Sequence, residues 1–272
     1  MKSLKNKHIE IIDNKFTTIF KVENFFDIDT YEELKKNYPV IIPKKKNLNK
    51  IHPFAGTLKH HEIDNKDGID FRPKVGTEEK HEFNQLLNEN KILRKIDEIF
   101  NSEYFFNFFI KHLKFKTVFD QRNLIRKIKY LRPALNSKKI NNNFLNKFVS
   151  NISINYSYTS MENKGFLRPH SDSPRKYISL LMYFPDENCD DINYGTSFWS
   201  FQRGNYNNVP IINEADFQNF KKNSKLIYRT PFIKNCFFGF IRSDFSWHSV
   251  EPIDVKANYI RKTLTVNFMY DN

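Results

Sequence analysis

Two cysteines in 272 residues are too few for a disulfide framework, and Cys189 and Cys236 show no metal-binding spacing. Such usage belongs with reduced thiols in a cytosolic protein. No apolar run approaches the roughly 18 residues that span a bilayer, and the opening MKSLKNKHIEII is too polar for a secretory signal. The expectation is a soluble, cytoplasmic protein with no membrane span. Internal repeats and a clean linker are missing too. One domain over 1–272 is therefore expected, a size ordinary for a single β sandwich or barrel. Acid is missing locally: Gln121 to Met161 holds no Asp or Glu, but does hold Arg122, Arg126, Lys127, Lys129, Arg132, Lys138, Lys139 and Lys147. A one-signed segment of that kind can focus potential and attract anions. The formal net charge of +13 decides little by itself, because a chain rich in Lys, Asn, Ile and Phe also fits codon bias in an AT-rich genome.

Aromatic residues are abundant, with 28 Phe and 13 Tyr, and give ample material for one large core. FTTIFKVENFFD (16–27) reads as one or two short strands. Thr30 and Glu33 form a capping-box pattern opening a short helix that Pro39 stops. His60 and His61 stand beside Glu62 in a stretch of little periodicity and read as solvated. From Thr77 to Lys114 the apolar spacing is helical, with Ser102 opening the crowded EYFFNFFIKHL. His112 on that segment reads as a packed or half-exposed histidine. Near Lys147 helical spacing gives way to alternation: SNISINYSY, KYISLLMYF, TSFWSF, NCFFGFI and RKTLTVNFMY follow as strands. The pattern predicts an α+β protein with a mainly β core. Residues 1–147 would form a helical or mixed support region with a basic insertion at 121–147, and 148–272 an antiparallel sandwich or jelly roll carrying helices on one outer face.

The stretch GFLRPHSDSPRKYISLLMYFP places His170 and Asp172 at i and i+2. In an extended segment both project from one face. One imidazole and one carboxylate make two thirds of the facial triad that holds non-heme Fe(II) while leaving positions open. The third ligand should be another histidine from a distant strand, and His248 in DFSWHSVEP is placed to be it. Taken singly, either histidine also fits a hydrogen-bonded residue at a strand end. Arg261 then opens the last strand. Arg261, Thr263, Thr265 and Asn267 share one face of it, opposite Leu264, Val266 and Phe268. An enclosed polar row beginning with Arg needs a partner, and a dicarboxylate cosubstrate would supply one through bidentate pairing. Tyr158 is grouped with Arg261 as a cosubstrate contact, and Lys176 is an alternative holder of the same carboxylate.

From about Tyr156 to Phe268, and most closely in LRPHSDSPRKYISLLMYFP, YGTSFW, SWHSVEP and RKTLTVNF, the chain resembles the Fe(II)- and 2-oxoglutarate-dependent oxygenases. It is most similar to their prolyl-hydroxylase-like bacterial branch. The resemblance implies a double-stranded β-helix, with His170, Asp172 and His248 holding iron. It further implies that Arg261 binds the distal carboxylate of 2-oxoglutarate, assisted by the Thr263 hydroxyl. Dioxygen and the oxo acid would then be consumed to hydroxylate a substrate, with release of succinate and carbon dioxide. Halogenating relatives lack the carboxylate that Asp172 supplies. Repair demethylases of alkylated bases carry a second Arg where this chain has Asn267, so nucleic acid is not the expected partner. The expected substrate is a small molecule, or a carrier- or protein-bound group, and the basic segment suggests an acidic one. Two other classes stay open at this point. A silent β sandwich binding an anionic polymer would not need the triad or Arg261. A cupin-like metal dioxygenase working without a keto acid more often shows His-x-His than His-x-Asp.

Overall fold

The apolar spacing changes along the chain, and the elements of the computed structural model change with it. The structure describes residues 4, 6–13, 15, 17–41, 55–57, 73–119, 133–135, 150–162, 165–186, 194–201, 214–243, 245–251 and 259–270. The first half supplies β1 (Glu10–Asp13), β2 (Ile19–Glu23), α1 (Ile28–Lys36), β3 (Ala55–Thr57), β4 (Lys74–Gly76), α2 (Lys80–Glu89), α3 (Lys91–Phe100), α4 (Glu103–Phe119) and β5 (Pro133–Leu135). The second half supplies β6 (Ser150–Glu162), β7 (Gly165–His170), β8 (Lys176–Tyr183), β9 (Ser197–Phe201), α5 (Glu214–Asn223), β10 (Ser224–Arg229), β11 (Cys236–Ile241), β12 (Trp247–Val250) and β13 (Ile260–Tyr270).

Pairing among the last eight strands is nested: β6 with β13, β7 with β12, β8 with β11, and β9 with β10, all antiparallel. A long hairpin rolled up in this way is a double-stranded β-helix. Among the described residues the larger sheet has eight strands, ordered β1-β2-β11-β8-β13-β6-β4 with β5 beside β6. The smaller has five, ordered β10-β9-β12-β7-β3. The first half is thus more than helical cover, since five of its strands lengthen both sheets. The helices do pack on the outer face of the larger sheet, in one apolar cluster with Leu180, Met182, Leu264, Val266 and Phe268. Phe105 stacks on Phe268 at 5.8 Å, and Phe25 meets Phe237 edge-on at 4.6 Å. Phe20 lies over Gly239 of β11, where an added Cβ would collide with its ring.

Two local expectations are corrected. The N-cap of α1 is Asp27, whose Oδ1 accepts from Thr30 N–H at 2.8 Å. Thr30 is the third helical residue, and its hydroxyl donates back to Asp27 Oδ2 at 2.9 Å. The helical stretch 77–114 is broken at Asn90, which ends α2 and caps α3 by accepting from Ile92 and Leu93 N–H groups. Ser102 does open α4, its hydroxyl accepting from Phe105 N–H. His112 is exposed, with Nδ1 at 2.7 Å from Phe108 O. Cys236 is a free thiol pushed up to about 12 by burial. His60, His61, Cys189 and the eight cations of the basic segment lie outside the described residues. Among the described residues no helix is long and apolar enough to cross a membrane.

Candidate functional site

β7 and β12 are neighbours in the smaller sheet, and their register sets His170 directly opposite His248. The ring centroids are 4.3 Å apart. Asp172 stands two residues beyond the end of β7. One ligand atom from each of these three side chains lies within 4.8 Å of the other two. The imidazoles are oriented by their own backbones: His170 Nδ1 lies 2.8 Å from Arg168 O, and His248 Nδ1 lies 2.9 Å from Ser246 O. A carbonyl can only accept, so each Nδ1 carries the proton and the lone pair falls on Nε2. A histidine that binds a metal through one ring nitrogen commonly donates its other N–H to a carbonyl in this way, which fixes the ring. Burial, and then the neighbouring His248, hold His170 down at about 3. It is a neutral donor at neutral pH.

Asp172 is nearly buried and firmly held. Lys176 Nζ pairs with its Oδ1 at 2.7 Å, Ser179 Oγ lies 3.0 Å from its Oδ2, and Arg242 Nε donates to its backbone carbonyl at 3.0 Å. Burial alone would raise this carboxyl. The Lys176 ammonium and the two imidazoles outweigh it and hold the group well below the usual carboxylate range. Lys176, Ser179 and Arg242 were not legible as partners of Asp172. A buried arginine is uncommon enough that Arg242 reads from sequence as a surface charge.

The triad opens into a cavity of about 460 Å³ between the sheets. Leu167, Leu181, Phe240 and Val250 form an apolar wall, while Ser157, Thr159, Thr263, Thr265 and Asn267 form a polar floor. The polar row of β13 therefore faces inward, as its alternation requires. Arg261 lies on this row, 4 % exposed. Its Nε donates to Tyr194 O and its Nη1 to Thr263 Oγ1, each at 2.9 Å. Its guanidinium lies over the rings of Tyr183 and Phe232, at 5.0 and 5.6 Å. Nη2 is buried and makes no hydrogen bond among the described residues, nor does any described carboxylate pair with the group. Burial lowers its proton affinity, yet guanidinium stays charged in proteins. A buried cation left so is costly unless an anion joins it.

Tyr158 does not belong to this group. It sits on β6 between Ser157 and Thr159, which face the cavity, so its own ring points to the helices. There it meets Tyr38 edge-on at 5.5 Å, fully buried. Lys176 lines the cavity but is engaged with Asp172. Of the two arginines flanking the ligand segment, Arg168 is only 7 % exposed, whereas Arg175 is exposed. The first half adds Lys74, Thr77 and Glu78 to the cavity, from β4 and the turn after it. A three-residue strand shows too little alternation to be read in advance.

No family model matches the chain, and no curated protein sequence matches it. Several solved structures are similar to it. HygX from Streptomyces hygroscopicus, with nickel and 2-oxoglutarate bound, shares 9% identity over 93% of this chain and 83% of its own, at a TM-score of 0.46. A Trichoplax adhaerens prolyl hydroxylase, in complex with a hypoxia inducible factor oxygen degradation domain peptide fragment, shares 11% over 92% and 83%, at 0.45. A Pseudomonas putida prolyl-4-hydroxylase shares 16% at a TM-score of 0.27. That match takes in 44% of this chain and about half, 52%, of the Pseudomonas protein.

Proposed function

We propose that this protein is an Fe(II)- and 2-oxoglutarate-dependent dioxygenase that hydroxylates a small-molecule, carrier-bound or protein-bound substrate. The observation that carries the reading is the meeting of two donor sets in one cavity. His170, Asp172 and His248 present two nitrogens and a carboxylate, and Arg261 presents a buried cation that pairs with no carboxylate among the described residues. The residues fit the metal: both imidazoles have their lone pairs on Nε2, and Asp172 is ionised, so no proton need leave before an ion binds. They fit the oxo acid as well, since Arg261 and the Thr263 hydroxyl would take its distal carboxylate. Iron(II) held there with 2-oxoglutarate and dioxygen would supply oxidative decarboxylation and C–H hydroxylation.

The chain's own residues do the rest. Lys176, Ser179 and Arg242 fix the Asp172 carboxylate before any ion arrives. Phe240 and Phe198 pack against the His248 ring, at 4.7 and 6.0 Å, and help to exclude water there. A keto-acid-independent dioxygenase would leave Arg261 without a role. The acid-free segment 121–161 is the part of this proposal that concerns an anionic substrate, drawn in faster at low salt. Titrating the purified protein with Fe(II) and following succinate formed from 2-oxoglutarate under air tests the reading. One Fe(II) per chain and Fe(II)-dependent succinate are expected. Tight iron binding without any succinate, across a substrate screen, would leave a metal protein of another kind.

A further inference from the structure

Building on the proposed metal centre, we infer that Lys176 is a positioning residue that keeps Asp172 a one-oxygen donor and thereby holds a coordination position open. Lys176 begins β8, and its N–H donates to Ser173 O at 2.9 Å, a turn that folds it back over the carboxylate. Its ammonium reaches Oδ1 at 2.7 Å, with side chains 23% and 8% exposed. Such a pair, half out of solvent and charge-assisted, is stronger than an ordinary surface ion pair. The backbone of Asp172 is pinned separately through Arg242 Nε at 3.0 Å. The carboxylate is thus held at two points and cannot swing freely.

The other oxygen is engaged more lightly. Ser179 Oγ lies 3.0 Å from Asp172 Oδ2 and 3.0 Å from Asn267 Oδ1. One hydroxyl has one hydrogen to donate, so a turned Asn267 amide can donate to Ser179 while Ser179 donates to Oδ2. Each oxygen keeps a lone pair, but the ammonium at Oδ1 repels a second cation there, which leaves Oδ2 as the oxygen for an ion. Carboxylates bind cations through one oxygen or both. With both, a six-coordinate ion on His170, His248 and Asp172 would keep two open positions. With one it keeps three, the number that a chelating oxo acid together with dioxygen requires. A lysine serving only solubility would not be folded onto a nearly buried carboxylate.

The test loads the full-length protein with Mn(II), whose bound waters accelerate the relaxation of bulk water protons. Wild type should show the relaxivity of about three waters and Lys176→Met that of about two, a fall of about one third. Mn(II) affinity should be equal or tighter in the variant, since a neighbouring cation has gone. 2-Oxoglutarate titrated into the Mn(II) form should bind roughly tenfold more weakly. Lys176→Gln should behave as Lys176→Met, and Lys176→Arg should restore both readings. Unchanged relaxivity in a Lys176→Met or Lys176→Gln protein that melts like wild type overturns the inference. So does loss of Mn(II) binding in those variants alone, because Lys176 would then build the site and not open it. If wild type and His248→Ala take up Mn(II) alike, the metal centre itself fails, and the inference falls with it.

Discussion

His170 and His248 are oriented by carbonyls two residues earlier in their own strands, so each ring is aimed by backbone and not by a distant partner. Losing one ring should therefore cost the metal while sparing the fold. His248→Ala is expected to abolish stoichiometric Fe(II) binding, with a melting temperature close to wild type; calorimetric titration checks the first and a thermal scan the second. Undiminished iron affinity would remove His248 from the ligand set. Arg261 makes a sharper case, because its buried Nη2 makes no hydrogen bond among the described residues. Removing one partner of a buried charge pair costs about 3–5 kcal/mol, so Arg261→Ala should weaken 2-oxoglutarate binding by at least roughly two orders of magnitude. Arg261→Lys should recover little, since a point charge cannot match the planar fork that also holds Tyr194 O and Thr263. Normal 2-oxoglutarate affinity in Arg261→Ala would place the oxo acid elsewhere in the cavity.

At the scale of elements, caps and alternation decide most of what can be tested. Asp27 holds the first turn of α1 through Thr30, and this hydrogen bonding lowers its carboxyl from the ordinary 3.8. A lowered folded value means that the stabilisation is complete above the unfolded value and disappears as pH falls through the folded one. Asp27→Ala should cost about 1 kcal/mol at pH 7, and the difference from wild type should shrink below about pH 4. Denaturant melts at both pH values measure it, and a pH-independent difference would assign the loss to something other than the ionised cap. From sequence this cap was placed at Thr30, because two capping residues three apart offer the same local signal. The triad was legible for a better reason: in an extended strand, i and i+2 share a face whatever the tertiary context. Tyr158 was placed on the wrong face although the alternation of SNISINYSY groups it with Ile152, Ile154 and Tyr156; its register against β13, opposite Leu264, agrees that it turns to the helices. Arg242 and the short strands β3 to β5 stayed hidden because single contacts and three-residue elements leave no periodicity.

For the whole molecule, the dependence of the second half on the first is the main question. Leu180, Met182, Phe237, Leu264, Val266 and Phe268 lie in strands of the second half, and all share one cluster with Phe25, Phe105 and Phe109 of the first. Uncovering these six, at roughly 1.5–3 kcal/mol each, would cost an amount comparable with the whole stability of an ordinary domain, about 5–15 kcal/mol. The edge of β11 would also lose β2, leaving unpaired backbone groups that invite aggregation. Lys74, Thr77 and Glu78 would be gone from the cavity as well. A chain of residues 148–272 should therefore be insoluble or lack fixed tertiary packing, with no near-ultraviolet circular dichroism, strong dye binding and no stoichiometric metal uptake. Supplying residues 1–147 in trans should restore at least part of the folded signal. A cooperative melt and one bound Fe(II) in 148–272 alone would show that the β-helix is an autonomous unit and that the first half only decorates it.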